Sequence, residues 1–192
     1  MTRLPETLTG TRIELRLPRP EDAEQLFAAV CSHAAVARYL TWHPHESADQ
    51  TRGVLEQIIR ANDAQHPEEQ TWIIHLEGEP AGMFSCWWEG GEVELGFCLG
   101  PAHWRRGYMR EALGLVLGAL AQDTAVTRVW ASTDVDNTGS AATLRGAGFE
   151  LKAELPAHAV HPNIEAGPRD SLLFEVDLTE HDPRPRVLSG QR

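Results

Sequence analysis

One stretch of this chain restricts the fold more than any other. Val93 to Leu99 has strand composition, Gly100-Pro101 breaks the run, and the short basic turn Trp104-Arg105-Arg106-Gly107 follows. Directly after it, Tyr108 to Gln122 places Met109, Ala112, Leu113, Val116, Leu117 and Leu120 at helical spacing. A helix of about four turns with one apolar face has to cover another element, and the preceding strand supplies a sheet to cover. The first N–H groups of such a helix have no intrahelical partner and lie at the positive end of its dipole, so the turn suits phosphate oxygens. Arg105 and Arg106 add charge there, although glycine beside a helix also serves chain geometry alone. A P-loop is a poorer reading, because the turn contains neither the lysine nor the hydroxyl residue that closes its signature.

Around this centre the pattern alternates between the two periods. Ile13, Leu15 and Leu17 alternate with Arg12, Glu14 and Arg16, which predicts a half-buried strand over Thr11 to Leu17. Glu21-Asp22 then opens a helix carrying Ala23, Leu26, Phe27 and Val30. A short helix is expected over Val36 to Leu40, and Ser47 is positioned to cap a longer one with Val54, Leu55, Ile58 and Ile59. Trp72 to Leu76 and Ala81 to Trp88 read as a hairpin through Glu77-Gly78-Glu79-Pro80. Val126 to Thr133, Phe149 to Leu155 and Ser171 to Leu178 read as strands, with a short helix over Ser140 to Gly146. Residues 1–178 are expected to form one domain, and Thr179 to Arg192, with little apolar content, a mobile tail.

Composition removes several classes of function. The chain has 192 residues, 42% of them apolar, and its 28 acidic against 17 basic residues give a net charge of −11. The basic residues are scattered, so neither nucleic acid nor an anionic membrane is an expected partner. No apolar run reaches the roughly 18 residues of a membrane span, and Met1 to Arg12 lacks a signal-peptide core, so a cytoplasmic location is expected. Cys31, Cys86 and Cys98 form neither an even set nor a CxxC pair, which points to reduced thiols. His43 with His45, and His158 with His161, lack an identifiable third ligand, so no metal is expected.

A second constellation, Asp136-Asn137-Thr138-Gly139-Ser140 followed by Leu144-Arg145-Gly146-Ala147-Gly148-Phe149, completes a resemblance. With the Trp104-to-Ala112 turn, the Arg12-Ile13-Glu14-Leu15-Arg16 strand, Arg38-Tyr39-Leu40 and Arg169-Asp170, the chain resembles the GNAT acyl-CoA-dependent N-acetyltransferases, and among them the RimJ/RimL-type branch. The similarity runs from about Thr9 to Leu178. It implies a mixed α/β fold: a central, mostly antiparallel sheet with a splayed cofactor strand, flanked by helices. It also implies acetyl-CoA as acyl donor, a primary amine as acceptor (a protein N-terminal α-amine or a small molecule), no metal, and a monomer or homodimer. A non-catalytic acyl-CoA sensor of the same fold is the alternative.

Residue by residue, the resemblance implies that the backbone from Arg105 through Arg106, Gly107, Tyr108 and Met109 to Arg110 binds the pyrophosphate. Trp104 occupies the first place of the motif, and Met109 stands where the family has Gly or Ala. Phe97, Cys98 and Leu99 would pair with the pantetheine amides, with a backbone N–H near Phe97 or Cys98 meeting the oxyanion. Asn137 and Ser140 would sit near the thioester, the Ser140 hydroxyl bonding the departing sulfur. Glu94, by its place before Gly96 on the family's cofactor strand, is the candidate general base; part of an α-amine is already neutral at pH 7, so a base acting through water suffices. Each has a plainer reading: Glu94 as an exposed strand carboxylate, Ser140 as a helix cap, Asn137 as a turn former. Cys98 has no histidine beside it in sequence and is not expected to carry the acyl group. Trp42, Trp87 and Asp170 are candidate acceptor contacts, with core packing the rival role for both tryptophans.

Overall fold

The computed structural model describes residues 3–63 and 68–178; the expected tail, 179–192, lies outside them. Among the described residues, eight strands form one sheet: β1 (Thr7–Thr9), β2 (Glu14–Arg16), β3 (Glu69–Leu76), β4 (Glu79–Glu89), β5 (Glu92–Leu99), β6 (Arg128–Asp134), β7 (Glu150–Val160) and β8 (Pro168–Val176), in the spatial order β1-β2-β3-β4-β5-β6-β8-β7. Every pairing is antiparallel except β5 with β6. A parallel neighbour requires a crossover, and the long helix α4 (Tyr108–Leu120) provides it.

Helices cover both faces. Trp72 and Ile74 of β3 point into a core shared with Leu113, Val116, Leu117 and Leu120 of α4 and with Leu144 of α5 (Thr138–Gly146). Ile73, between them, points the opposite way into a second core with Leu26, Val30 and Leu55. Those residues come from α1 (Ala23–Leu26), which continues as a π turn over Phe27–Cys31, and from α3 (Ala48–Asn62); the short α2 (Ala34–Ala37) lies between them. Ser47 caps α3 as expected, its Oγ accepting the Gln50 N–H at 3.2 Å. The other end of α3 is tied to β3 by buried Asn62, which donates to Thr71 O and accepts from Thr71 N–H, both at 2.9 Å.

Three local features differ from the sequence pattern. β1 is an additional short edge strand, too brief to show a period. The helix opened by Glu21 is broken into a 3-10 turn, α1 and the π turn. β7 runs through Pro156 to Val160, because an edge strand can tolerate a missing N–H. There Ala157 adopts φ +49°, and Asp170 Oδ1 accepts its N–H at 2.8 Å.

Asp22 fastens α1 to the sheet. Its carboxylate takes two bonds from Arg16, at 3.0 and 2.6 Å, and one from the Arg19 N–H at 2.8 Å, with His75 Nε2 at 3.6 Å. Burial by itself raises the Asp22 pKa, but His75, Arg16 and the Arg19 amide outweigh it and hold the carboxyl well below the usual range.

Candidate active site

The site begins where β5 and β6 part. They pair only at Glu92/Arg128, Val93/Val129 and Glu94/Trp130, whereas β5 stays paired with β4 as far as Leu99 and β6 with β8 as far as Asp134. Beyond Glu94 no strand among the described residues pairs with the edge of β5 that faces β6, which leaves it open to another extended chain carrying amides. Phe97 packs its ring on Phe84, centroids 6.0 Å apart, which fixes this part of the strand from the core side.

At the far end of β5 the chain folds over into the turn before α4. Trp104 Nε1 donates to Leu99 O at 2.6 Å, pinning the turn to the strand end while the indole stays exposed. Arg105 and Gly107 both have positive φ, +59° and +80°. This conformation suits glycine at position 107, and a Cβ there would also lie 3.6 Å from the Arg12 guanidinium. The result is a run of backbone N–H groups, Arg105 through Arg110, none of which has an acceptor among the described residues; the helical ladder starts with Glu111 N–H to Gly107 O. Consecutive unpaired donors at the N-terminus of a 13-residue helix make an anion cradle. Met109 is buried in the core, so its bulk lies away from that cradle.

Arg12 braces the turn, a role that no local spacing announces. It donates from Nε to Glu111 Oε2 at 2.8 Å and from Nη1 to Arg106 O at 3.0 Å, its own N–H reaches Glu111 Oε1 at 2.9 Å, and its guanidinium lies 4.8 Å from the Tyr108 ring centre.

The Asn137–Ser140 turn separates two roles that the sequence left open. Asn137 is the N-cap of α5, its Oδ1 accepting the Ser140 N–H at 3.1 Å. Ser140 is half-buried and its hydroxyl has no partner among the described residues, so it is not the cap. Behind the turn, Arg169 donates to Asp134, Asp136 and Glu165, Asp134 Oδ1 accepts the Asp136 N–H at 2.9 Å, and Tyr39 Oη donates to Asp136 O at 3.3 Å. Burial raises the Asp134 pKa, yet Arg169 and the Asp136 amide reverse the sign and keep it lowered. This network holds the turn from below.

Glu94 is half-buried, between Trp87 on β4 and Trp130 on β6 in one cross-strand row, and no ion pair or hydrogen bond engages its carboxylate among the described residues. Burial raises its pKa. Trp87, 39% exposed, lays its indole over Gly96, where a Cβ would come within 2.5 Å of the ring. Cys98 is a poor nucleophile, because burial and the neighbouring Cys31 push its thiol up to about 12. Trp42 lies across the α1/α3 side, packed on that core. Asp170 is exposed, with one oxygen held by the β7 bulge. His43 and His45 bond to Asn163 and Thr51, and no cluster of three or more metal-ligating side chains occurs among the described residues.

The model of the GNAT acetyltransferase domain matches residues 12–150. An uncharacterized N-acetyltransferase, p20, from Bacillus licheniformis is 26% identical over 155 residues, covering 78% of this chain and 85% of its own. Among solved structures, the microcin C7 self-immunity acetyltransferase MccE, in complex with acetyl-CoA and AMP, superposes with a TM-score of 0.78 at 19% identity over 86% of this chain and 92% of its own. RimL, the ribosomal L7/L12 α-N-protein acetyltransferase in complex with coenzyme A, gives 0.78 at 21% over 88% and 97%.

Proposed function

This chain belongs to the GNAT acetyltransferase family, and on that premise we propose that it transfers acetyl from acetyl-CoA directly to a primary amine within a ternary complex. The observation that carries this reading is the run of unpaired N–H groups from Arg105 to Arg110 at the end of a strand whose far edge is open from Leu95. The cradle takes the pyrophosphate, with Arg105 and Arg106 adding charge; Phe97, Cys98 and Leu99 take the pantetheine amides along the open edge. The residues of the Trp104-to-Ala112 turn and the Asn137 and Ser140 pair, by their resemblance to the RimJ/RimL-type pattern, support placement in that branch, with residues 1–178 as one catalytic domain. The acceptor is a protein N-terminal α-amine or a small-molecule amine.

The chain's own groups have distinct tasks. Glu94, unpaired and with a raised pKa, accepts the ammonium proton directly or through water, so that the nitrogen attacks as a neutral amine. A β5 backbone N–H near Phe97 or Cys98 meets the carbonyl oxygen as it gains charge. The carbon–nitrogen bond forms, the carbon–sulfur bond breaks, the extra proton on the acylated nitrogen passes to solvent, and the thiolate accepts a hydrogen bond from the uncommitted Ser140 hydroxyl. With a reference thiol pKa near 8.5, that one donor suffices, and solvent returns the proton. Trp87 flanks the amine above Gly96.

The test is thiol release from acetyl-CoA across a panel of peptides, amino acids, aminoglycosides and simple amines, with mass spectrometry of the acceptor. Acetylated product is expected for at least one class. Tight acetyl-CoA binding with no transfer to any amine would favour a sensor instead.

A further inference from the structure

The sheet parts beyond Glu94, and how far it opens depends on what joins its two halves, β1 to β5 and β6 to β8. At the closed end of the split β5 and β6 pair through Glu92, Val93 and Glu94. On the α4/α5 face one core runs across it, with Leu95 and Leu113 from one half and Ala131 and Phe174 from the other. On the opposite face, the open end is crossed by segment 37–43. This segment follows the π turn that lies against the end of β5, where a Cβ on Gly100 would collide with Ala29 O. Leu40 and Trp42 pack on the α1/α3 core, whose strand residues Ile73, Met83 and Cys98 all come from β3 to β5.

The polar bonds of the segment go to the other half. Tyr39 Oη donates to Asp136 O at 3.3 Å, just beyond the end of β6. Asn163, in the loop between β7 and β8, donates from Nδ2 to Ala37 O and to Trp42 O, both at 2.7 Å, and its Oδ1 lies 2.9 Å from His43 Nδ1. Both carbonyls can only accept, so the amide hydrogens face them and the amide oxygen accepts from His43. One half-buried side chain therefore holds both ends of the segment. The donors that meet the thioester stand on opposite sides of the same split: the backbone N–H near Phe97 or Cys98 on β5, and the Ser140 hydroxyl on α5, which follows β6.

We propose that Asn163 is a positioning residue: by holding segment 37–43 across the open end of the split, it fixes the spacing at which the β5 N–H and the Ser140 hydroxyl both reach the tetrahedral intermediate. The inference rests on the acetyltransferase reading and adds a residue that touches no reacting atom. The spacing counts most in the transition state, because the carbonyl oxygen and the sulfur gain their charge only there. The groups that hold the cofactor, the Arg105-to-Arg110 cradle and the β5 edge, belong to one half, so acetyl-CoA affinity depends little on the spacing.

The test measures kcat for thiol release by the full chain, with the fastest acceptor of the panel of peptides, amino acids, aminoglycosides and simple amines, and acetyl-CoA affinity by calorimetry. Asn163→Ala should lower kcat about 10-fold, the scale of a small misplacement of reacting groups, with acetyl-CoA affinity within about twofold of wild type. Asn163→Asp keeps the shape but has no donor for Ala37 O and Trp42 O, so it should show the same loss. Tyr39→Phe removes one hydroxyl and should lower kcat about threefold with the same split. In a Ser140→Ala background, Asn163→Ala should cost only about twofold, because the donor it places is gone. Circular dichroism checks each variant for folding; if Asn163→Ala does not fold, Tyr39→Phe decides, and an unchanged kcat there overturns the proposal. An unchanged kcat in folded Asn163→Ala, an equal loss of kcat and acetyl-CoA affinity, or the same loss with and without Ser140 overturns the positioning role while the acetyltransferase reading stands. Acetyl-CoA binding by the wild type without transfer to any amine overturns both.

Discussion

The two sides of the cleft are built by different means. The proposed cofactor side is made of backbone: consecutive N–H groups from Arg105 to Arg110, shaped by two positive-φ residues and one helix start, all within a few residues of one another. The proposed acceptor side is made of side chains, Trp42 in the loop before α3, Trp87 on β4 and Glu94 on β5, up to 52 positions apart in the chain. A backbone site tolerates most side-chain changes and fails where the backbone path itself is disturbed. A side-chain site fails when any of its distant supports moves.

The largest expected effect therefore comes from a residue that touches neither side. Asp22→Asn leaves the partly buried Arg16 guanidinium without its counter-charge and loosens α1, at a cost of about 3 kcal/mol in unfolding free energy. Because the native carboxyl titrates below its unfolded value, the wild-type chain holds this contribution in full above roughly pH 5 and loses it as pH falls. Urea titrations at neutral and acidic pH check this, the wild-type advantage shrinking on acidification. At neutral pH the folded fraction of the variant should retain its acetyl-CoA affinity while the acceptor KM rises.

Next in size is Gly107→Glu, which places an acidic side chain at φ +80° beside the cradle. Calorimetry should show acetyl-CoA binding about 100-fold weaker. Unchanged affinity in a folded variant would remove the backbone cradle and collapse the distinction between the two sides. Ser140→Ala should lower kcat by roughly 10-fold with acetyl-CoA affinity preserved, since the hydroxyl caps nothing and acts on the departing thiolate. Equal loss of both would make Ser140 a binding residue. Smallest is Arg12→Met, which frees Arg106 O and Glu111 but leaves every cradle N–H in place; acetyl-CoA affinity should fall about threefold, with kcat unchanged at saturation.

The same division explains what could be read from the sequence. Phe97-to-Leu99, the Arg105–Arg110 turn and the Ser47 cap are local, and the periodicity around them placed α3, α4 and β5 within a few residues of their observed bounds. The departure of β5 from β6 followed from family resemblance and is present in the pairing. The Arg12 brace joins residues 99 apart in sequence, and the packing of Trp42 on the α1/α3 core depends on how α3 lies across the sheet, so neither leaves a local trace. Asn137 and Ser140 were visible as a pair, but which of them caps α5 depends on the rotation of the turn.

Direct attack by an amine relieved of its proton at Glu94 is tested most sharply by one pH profile. With a single acceptor, kcat/KM is measured for wild type and Glu94→Gln across roughly pH 6 to 10, spanning the range below a lysine-like amine's reference pKa near 10.4. The amide keeps the shape but cannot take the proton, so the variant should be about 100-fold slower near neutrality. Burial raises the Glu94 pKa, so any acid-side fall in the wild-type rate should begin at a higher pH than an ordinary carboxylate would set. Towards the alkaline end, more acceptor arrives neutral and the variant should close the gap. A wild-type-to-variant ratio that stays constant across the whole range would contradict a proton-accepting role for Glu94.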